Sequence, residues 1–188
     1  MEIKIDEDWL KILYEILFDF YRNSGHPITA GYSEGMISVC VNRPQVWIRN
    51  FIPYPHLLHK ATVLMHSIIN FHPFVDGNKR IALLATTFYL HWNGYDFEIP
   101  KDADNFTIDI AKGKYSLNDI LNWLLRNSRR TPSSVLNHLL CRNIMKLGED
   151  LPPSSSEFLA LLAVVFFMPT SALDFFREKR GSEHKLPI

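Results

Sequence analysis

Nine consecutive residues, His72-Pro73-Phe74-Val75-Asp76-Gly77-Asn78-Lys79-Arg80, bring together a base, a carboxylate, a glycine, an amide and two cations. That set suits a turn that handles phosphate. The glycine lets backbone N–H groups approach an anion closely. A helix that starts just after it aims its unbonded N–H groups and its positive dipole end at that anion. Lys79 and Arg80 add full charges, and a guanidinium can grip phosphate oxygens in two places. Asp76 is a hard oxygen ligand, suited to a Mg²⁺ ion that already carries phosphate and water. The His72 imidazole can take a proton from an attacking hydroxyl. Each residue alone has an ordinary explanation: a lone histidine is usually structural or solvated, and an aspartate here usually caps the next helix. Their density points to chemistry.

Helical flanks must position this turn. Leu57, Ala61, Leu64 and Ile68 share one helical face, with Leu58, Met65 and Ile69 beside it, and Pro55 suits the first turn. Pro73 disfavours the α region for His72, so the base is presented at a helix end rather than on a helix face. Phe74 reads as an apolar anchor. A second helix is expected from Asn78, with the stripe Ile81, Leu84, Ala85, Phe88 and Trp92 and a stop at Gly94. It carries so little charge that it reads as buried, a rigid platform for a site, although any central core helix looks the same. Upstream, Trp9, Ile12, Leu13, Ile16, Leu17 and Phe20 form one stripe, capped by Asp8 and broken between Asn23 and Pro27. Downstream, Asp104 is the expected cap of a short helix, Asn105 to Lys112, closed by Gly113. Ser116 with Asp119 comes close to a capping box and opens a helix with Leu117, Ile120, Leu121 and Leu124 facing inward.

Arg126 to Arg130 is a basic exit, and Thr131 to Ser134 reads as a joint. The chain is therefore divided into residues 1–130, which hold the motif, and a C-terminal helical extension, residues 131–188. In the extension Leu136, Leu140, Ile144 and Leu147 share a face. Phe158 to Met168 is apolar all round and needs burial, and a last helix runs toward Arg180. An added packing layer is the ordinary reading, and a docking element, or a homodimer formed through this extension, is the sharper one.

The chain has 188 residues, 47% hydrophobic, with 20 basic and 20 acidic side chains. That is enough apolar material for a core and too much for a disordered chain. Zero net charge argues against a nucleic-acid partner, which usually meets a basic excess. Cys40 and Cys141 cannot make a disulfide framework and suit a reducing compartment. The N-terminus lacks the basic-then-apolar pattern of a signal peptide. The longest apolar run, Phe158 to Met168, falls short of the roughly 20 residues of a membrane span. The expectation is a soluble cytoplasmic protein with no membrane contact. His56, His59, His66 and His72 are not spaced with cysteine or carboxylate as zinc ligands are, and His66 reads as a helix-surface residue.

The motif resembles the signature of the Fic/Doc superfamily, His-Pro-Phe-x-Asp/Glu-Gly-Asn-Gly/Lys-Arg. Tyr54 to Ala61, Asn93-Gly94-Tyr95, and Gly31 to Pro44 followed by Gln45 are similar to its Doc (death-on-curing) branch. The resemblance covers about Asp8 to Asn127. It implies an all-α helical bundle around a central motif helix. Met36 to Val41 would favour a strand by propensity alone, and the resemblance makes it a helix. The same likeness turns the following loop, with Trp47, Ile48 and Phe51, into a flap that orients the target. Asn42, Arg43 and Gln45 are its candidate docking residues.

The resemblance implies ATP as the nucleotide, with phosphates over Gly77, Asn78, Lys79 and Arg80, Mg²⁺ on Asp76, and His72 as catalytic base. The target is a Ser, Thr or Tyr hydroxyl of another protein. Fic enzymes that transfer AMP usually have glycine where this chain has Lys79, and a second arginine where it has Leu83. The Doc branch has the lysine and lacks that arginine. Phosphoryl transfer to an elongation factor Tu-like target, by the toxin of a toxin–antitoxin pair that blocks translation, is the implied activity. AMP transfer (adenylylation) is the alternative, because Pro73 and Gly77 are more similar to Fic enzymes. A non-enzymatic binding module on the same scaffold is a third reading. The self-restraining Ser/Thr-x-x-x-Glu-Gly/Asn helix of many Fic proteins is not matched at Glu34, preceded by Ala30, or at Glu157, preceded by Pro153. Restraint is therefore expected from a separate Phd-like antitoxin.

Overall fold

The computed structural model describes residue 2 and residues 4–23, 29–97 and 99–131. Six α-helices lie among the described residues: α1 (Glu7–Asn23), α2 (Glu34–Asn42), α3 (Leu57–Phe71), α4 (Asn78–Trp92), α5 (Ala103–Ala111) and α6 (Leu117–Asn127). The all-α expectation holds. The extension from residue 132 onward, Cys141 included, lies outside the described residues, as does most of the break expected between Asn23 and Pro27.

α3 and α4 pack along one another at the centre. Every residue of α4 from Ile81 to Leu90 is buried, so no face is left for water. α1 crosses α4 on one side, while α2, α5 and α6 pack on α3. The expected stripe of α1 is buried at Ile12, Leu13, Ile16 and Leu17, and Leu10, Tyr14 and Tyr21 join it. Its cap is Asp6 rather than Asp8: Asp6 Oδ1 accepts the Trp9 N–H at 2.9 Å. α3 begins two residues after Pro55, with His56 extended at its N-cap. α5 begins at Ala103, before the expected cap Asp104. The capping box of Ser116 and Asp119 forms as the sequence predicts. Gly94 stops α4 in left-handed backbone, φ 81°.

Residues 36–41 fold as the resemblance implied, within α2. Ser33 Oγ caps the helix by accepting the Met36 N–H, and Ile37, Cys40 and Val41 face the core. Burial pushes the Cys40 thiol up to about 12. One small antiparallel ribbon interrupts the helical architecture. Strand β1 (Tyr95–Phe97) pairs with β2 (Ser128–Arg130), with Tyr95 opposite Arg130. The basic exit carries no apolar alternation, so only its partner makes it a strand.

A second pairing bears on the motif. Tyr32 forms an isolated antiparallel bridge with Phe74. The Ser33 N–H donates to Pro73 O at 2.8 Å, and the Val75 N–H donates to Gly31 O at 2.9 Å. The motif turn is thus stitched to the chain entering α2. Gly31 sits at φ 139°, and a Cβ there would lie 3.0 Å from Val75 Cγ2. Gly31→Ala is expected to lower unfolding stability by about 1–3 kcal/mol through strain and the clash, measured by urea denaturation.

Candidate active site

The motif turn has left-handed backbone at both ends. His72 closes α3 at φ 47° and ψ 58°, and Gly77 opens α4 at φ 82°. Pro73 disfavours the right-handed α region for His72, and a left-handed residue is a common way to end a helix. For a non-glycine residue this backbone costs roughly 1–2 kcal/mol, so the surroundings must hold it. The His72 imidazole is exposed, while Pro73 and Phe74 are buried directly after it. Phe74 is the apolar anchor that the sequence suggested.

Asn78 supplies the hold. Its Oδ1 accepts the Phe74 N–H at 3.0 Å, and its Nδ2 donates to the Phe74 carbonyl at 2.6 Å. The amide is buried and engaged at both ends, which closes the turn on itself. Asp76 is exposed, and its Oδ1 accepts the Gly77 N–H at 2.6 Å. Its other oxygen makes no bond among the described residues. One carboxylate of this kind, open to solvent, fits a Mg²⁺ ion that takes its remaining ligands from water and phosphate. Asp76 precedes the N-cap, which is Gly77. Gly77 has no side chain to satisfy the first-turn amides of α4, so those N–H groups are left to an outside acceptor. Lys79 and Arg80 stand exposed on that first turn. His72, Asp76, Gly77, Asn78, Lys79 and Arg80 therefore share one turn and one helix end, a surface suited to a polyanion with a base beside it.

α1 shapes this surface, and the sequence reading did not single out the residues responsible. The Tyr14 ring stacks on Phe74 at 4.2 Å between centroids and 15° between planes. Its hydroxyl accepts the Gly31 N–H at 3.2 Å and donates to the Thr29 carbonyl at 3.3 Å. Burial raises the Tyr14 phenol above its ordinary range, the Gly31 bond opposes that, and the Asp76 charge adds to it. The Tyr21 ring lies under the Arg80 guanidinium, 4.5 Å from ring centroid to Cζ. The signal was present in the spacing: Tyr14, Leu17 and Tyr21 fall at i, i+3 and i+7 on one helical face.

The three residues expected on the docking flap are tied into the fold. Asn42 Nδ2 donates to the Ser38 carbonyl at 2.9 Å. Arg43 Nη1 donates to Ser67 Oγ at 3.1 Å and faces His66 Nδ1 at 3.2 Å, with the guanidinium 5.3 Å from the Phe71 ring centroid. Gln45 Nε2 donates to Glu2 Oε1 at 3.1 Å. The exposed side chains come next in the chain. Ile48 and Phe51 pair around a tight turn, and Trp47 is 70% exposed, Phe51 63% and Ile48 55%. His66 is half-buried rather than a surface residue. An arginine can only donate, so His66 Nδ1 accepts and the ring is neutral in this contact. Burial, and then the Arg43 charge, hold its pKa below the ordinary 6.5.

Residues 4–90 match the family model for the Fic/DOC family. That span holds α1 to α3 and all of the motif turn, and it stops inside α4, short of the Asn127 limit expected from the sequence. A Toxin Doc of Mycolicibacterium smegmatis is 39% identical over 70 residues, 37% of this chain and 54% of the relative. A Fido domain-containing protein of Dictyostelium discoideum is 38% identical over 45 residues, 24% of this chain and 32% of that protein. The chain spans about half the length of the first relative and about a third of the second.

Two outcomes are expected. Asn78→Ala leaves both backbone groups of Phe74 unpaired and should lower stability by about 2 kcal/mol or more, read by urea denaturation. His66 gives the protein a pH dependence. Its folded pKa lies below the unfolded one, so between the two values the unfolded chain binds more protons. Its contribution is whole above the ordinary histidine value and declines as pH falls through it toward the folded value. The melting temperature should therefore drop from about pH 7.5 to about pH 5.5, and less so in His66→Gln.

Proposed function

Because residues 4–90 match the Fic/DOC family model, we propose that this protein is a Doc-like toxin that transfers the γ-phosphate of ATP to a Ser or Thr hydroxyl of a target protein, of the elongation factor Tu kind, in the cytoplasm. One observation carries the choice of reaction. The cations of the site end at Arg80: Leu83, where AMP-transferring relatives have a second arginine, is buried in the core at 3% exposure, and every residue from Ile81 to Leu90 is buried with it. Lys79 stands in the turn where those relatives have glycine. Among the described residues, that leaves one lysine, one arginine and the first-turn amides of the motif to hold the phosphates.

In this reading His72 takes the proton of the attacking hydroxyl. The hydroxyl oxygen bonds to the γ-phosphorus, the bond from that phosphorus to the bridging oxygen breaks, and ADP departs. Arg80, Lys79 and the N–H groups of the first turn of α4 hold the phosphate oxygens as charge shifts between them. Both ends of the Asn78 amide serve Phe74, so Asn78 contributes to the phosphate through its backbone N–H and through the turn that it braces. Asp76 would hold Mg²⁺, which neutralises charge on the phosphate oxygens. The exposed loop around Trp47, Ile48 and Phe51 receives the target segment, and Arg43 and Gln45 fix its base. Restraint comes from a separate Phd-like antitoxin. AMP transfer is the second reading, and Pro73 and Gly77 favour it.

The test is mass spectrometry of a bacterial translation extract incubated with ATP, Mg²⁺ and either the wild type or His72→Ala. A Thr or Ser of elongation factor Tu should gain a phosphate with wild type, and the gain should fall at least about 100-fold with the variant. A gain of AMP would overturn phosphoryl transfer, and no modified protein would favour the binding-module reading.

A further inference from the structure

Among the described residues, no hydrogen bond or ion pair holds the Arg80 guanidinium. Its one described partner is the Tyr21 ring on α1, 4.5 Å from ring centroid to Cζ. Tyr21 is 8% exposed, so the ring is fixed by its own packing, whereas Arg80 is exposed. An arginine side chain is rich in rotamers, and an unheld one surrenders that freedom when it grips a ligand. An aromatic face removes part of that freedom beforehand. It attracts the cation through the ring quadrupole and leaves the N–H donors at the guanidinium edge pointing away from the ring. The same face of α1 carries Tyr14, stacked on Phe74, and Leu17, which lies against Gly77: a Cβ added to Gly77 would lie 3.4 Å from Leu17 Cδ2. Three residues of one helical stripe thus touch three successive parts of the motif.

We propose that Tyr21 is the positioning residue for Arg80: the fixed ring holds the guanidinium at the start of α4, with its donor edge ready for a phosphate. The identity of the ligand rests on the nucleotide-transfer reading; the geometry does not.

The experiment uses the full chain as wild type, Tyr21→Phe, Tyr21→Leu, Arg80→Ala and the double variant Tyr21→Leu/Arg80→Ala. ATP with Mg²⁺ is titrated by calorimetry, and the Arg80 Nε–H resonance is followed by NMR. In the wild type that resonance should carry an upfield ring-current shift. Tyr21→Phe keeps the ring and should match the wild type in both readouts. Tyr21→Leu should lose the upfield shift and bind ATP about two- to fivefold more weakly. In the Arg80→Ala background the same substitution should change nothing further, which a merely structural role for Tyr21 would not give. An unchanged Arg80 resonance in Tyr21→Leu overturns the proposal, as does an equal loss of affinity with and without Arg80. If the wild type binds no ATP, the nucleotide reading falls. The Arg80 resonance then decides the positioning by itself: shifted in the leucine variant and retained in the phenylalanine variant upholds it, and unshifted overturns it. Tyr21→Met replaces Tyr21→Leu if the leucine variant does not fold, judged by circular dichroism.

Discussion

Two hydrogen bonds from one buried amide close the turn on which the rest of this site depends. Asn78 binds both the N–H and the carbonyl of Phe74. Without that closure, His72 has no reason to stay in left-handed backbone, because a non-glycine residue prefers to leave it. With it, the turn carries its buried groups inward, Pro73, Phe74 and the amide. Its charged groups, Asp76, Lys79 and Arg80, are carried outward together with the His72 imidazole. The separation follows from burial: an unpaired polar group in the core is costly, so the amide is fully bonded, and ionised groups remain where water or a ligand can reach them.

The turn is gripped from two further sides by parts of the chain distant in sequence. The segment before α2 adds a short antiparallel pairing, with Tyr32 across from Phe74. α1 adds the Tyr14 ring, which stacks on Phe74 while its hydroxyl bonds the backbone on both sides of Ala30. Tyr14 thereby links the anchor of the turn to the strand-like segment paired with it. A buried tyrosine suits this work, since its ring supplies contact area and its hydroxyl satisfies backbone groups. Below the turn, α4 is buried from Ile81 to Leu90 and gives the site a floor that cannot shift without opening the core.

The loop on the other flank has a different character. Its base is held by polar bonds: Arg43 to Ser67 and toward His66, and Gln45 to Glu2, whose carboxylate also accepts from Lys60 and the Tyr89 hydroxyl. Those bonds keep the Glu2 carboxyl below its ordinary range against the opposing effect of burial. The tip is exposed and apolar, led by Trp47 and Phe51. Among the described residues, the loop thus joins a polar, bonded base to an exposed apolar tip.

The residue set of the motif was legible in the sequence, because its nine residues are consecutive, and they fold onto one turn and one helix end. The helices around it were legible as well, since α1, α3, α4 and α6 each carry an apolar stripe at helical period. Helix starts were read a residue or two off at Asp8, Pro55 and Asp104, where several neighbours can serve as a cap and packing chooses among them. For residues 36–41 local propensity pointed to a strand, and burial of Ile37, Cys40 and Val41 on one helical face outweighed it. The β1–β2 ribbon was hidden because Ser128-Arg129-Arg130 has no strand pattern of its own. Asn78 read as a phosphate ligand, and the fold spends its side chain on Phe74. Tyr14 and Tyr21 read as ordinary members of a core helix. What α1 does for the site depends on where it crosses the motif, and that placement arises only when helices far apart in sequence pack together. The sequence by itself determined which groups could do chemistry. Tertiary structure decided which of them are buried and spent on holding the turn, as Asn78 is, and which stay exposed to water or a ligand, because burial forces polar groups to pair.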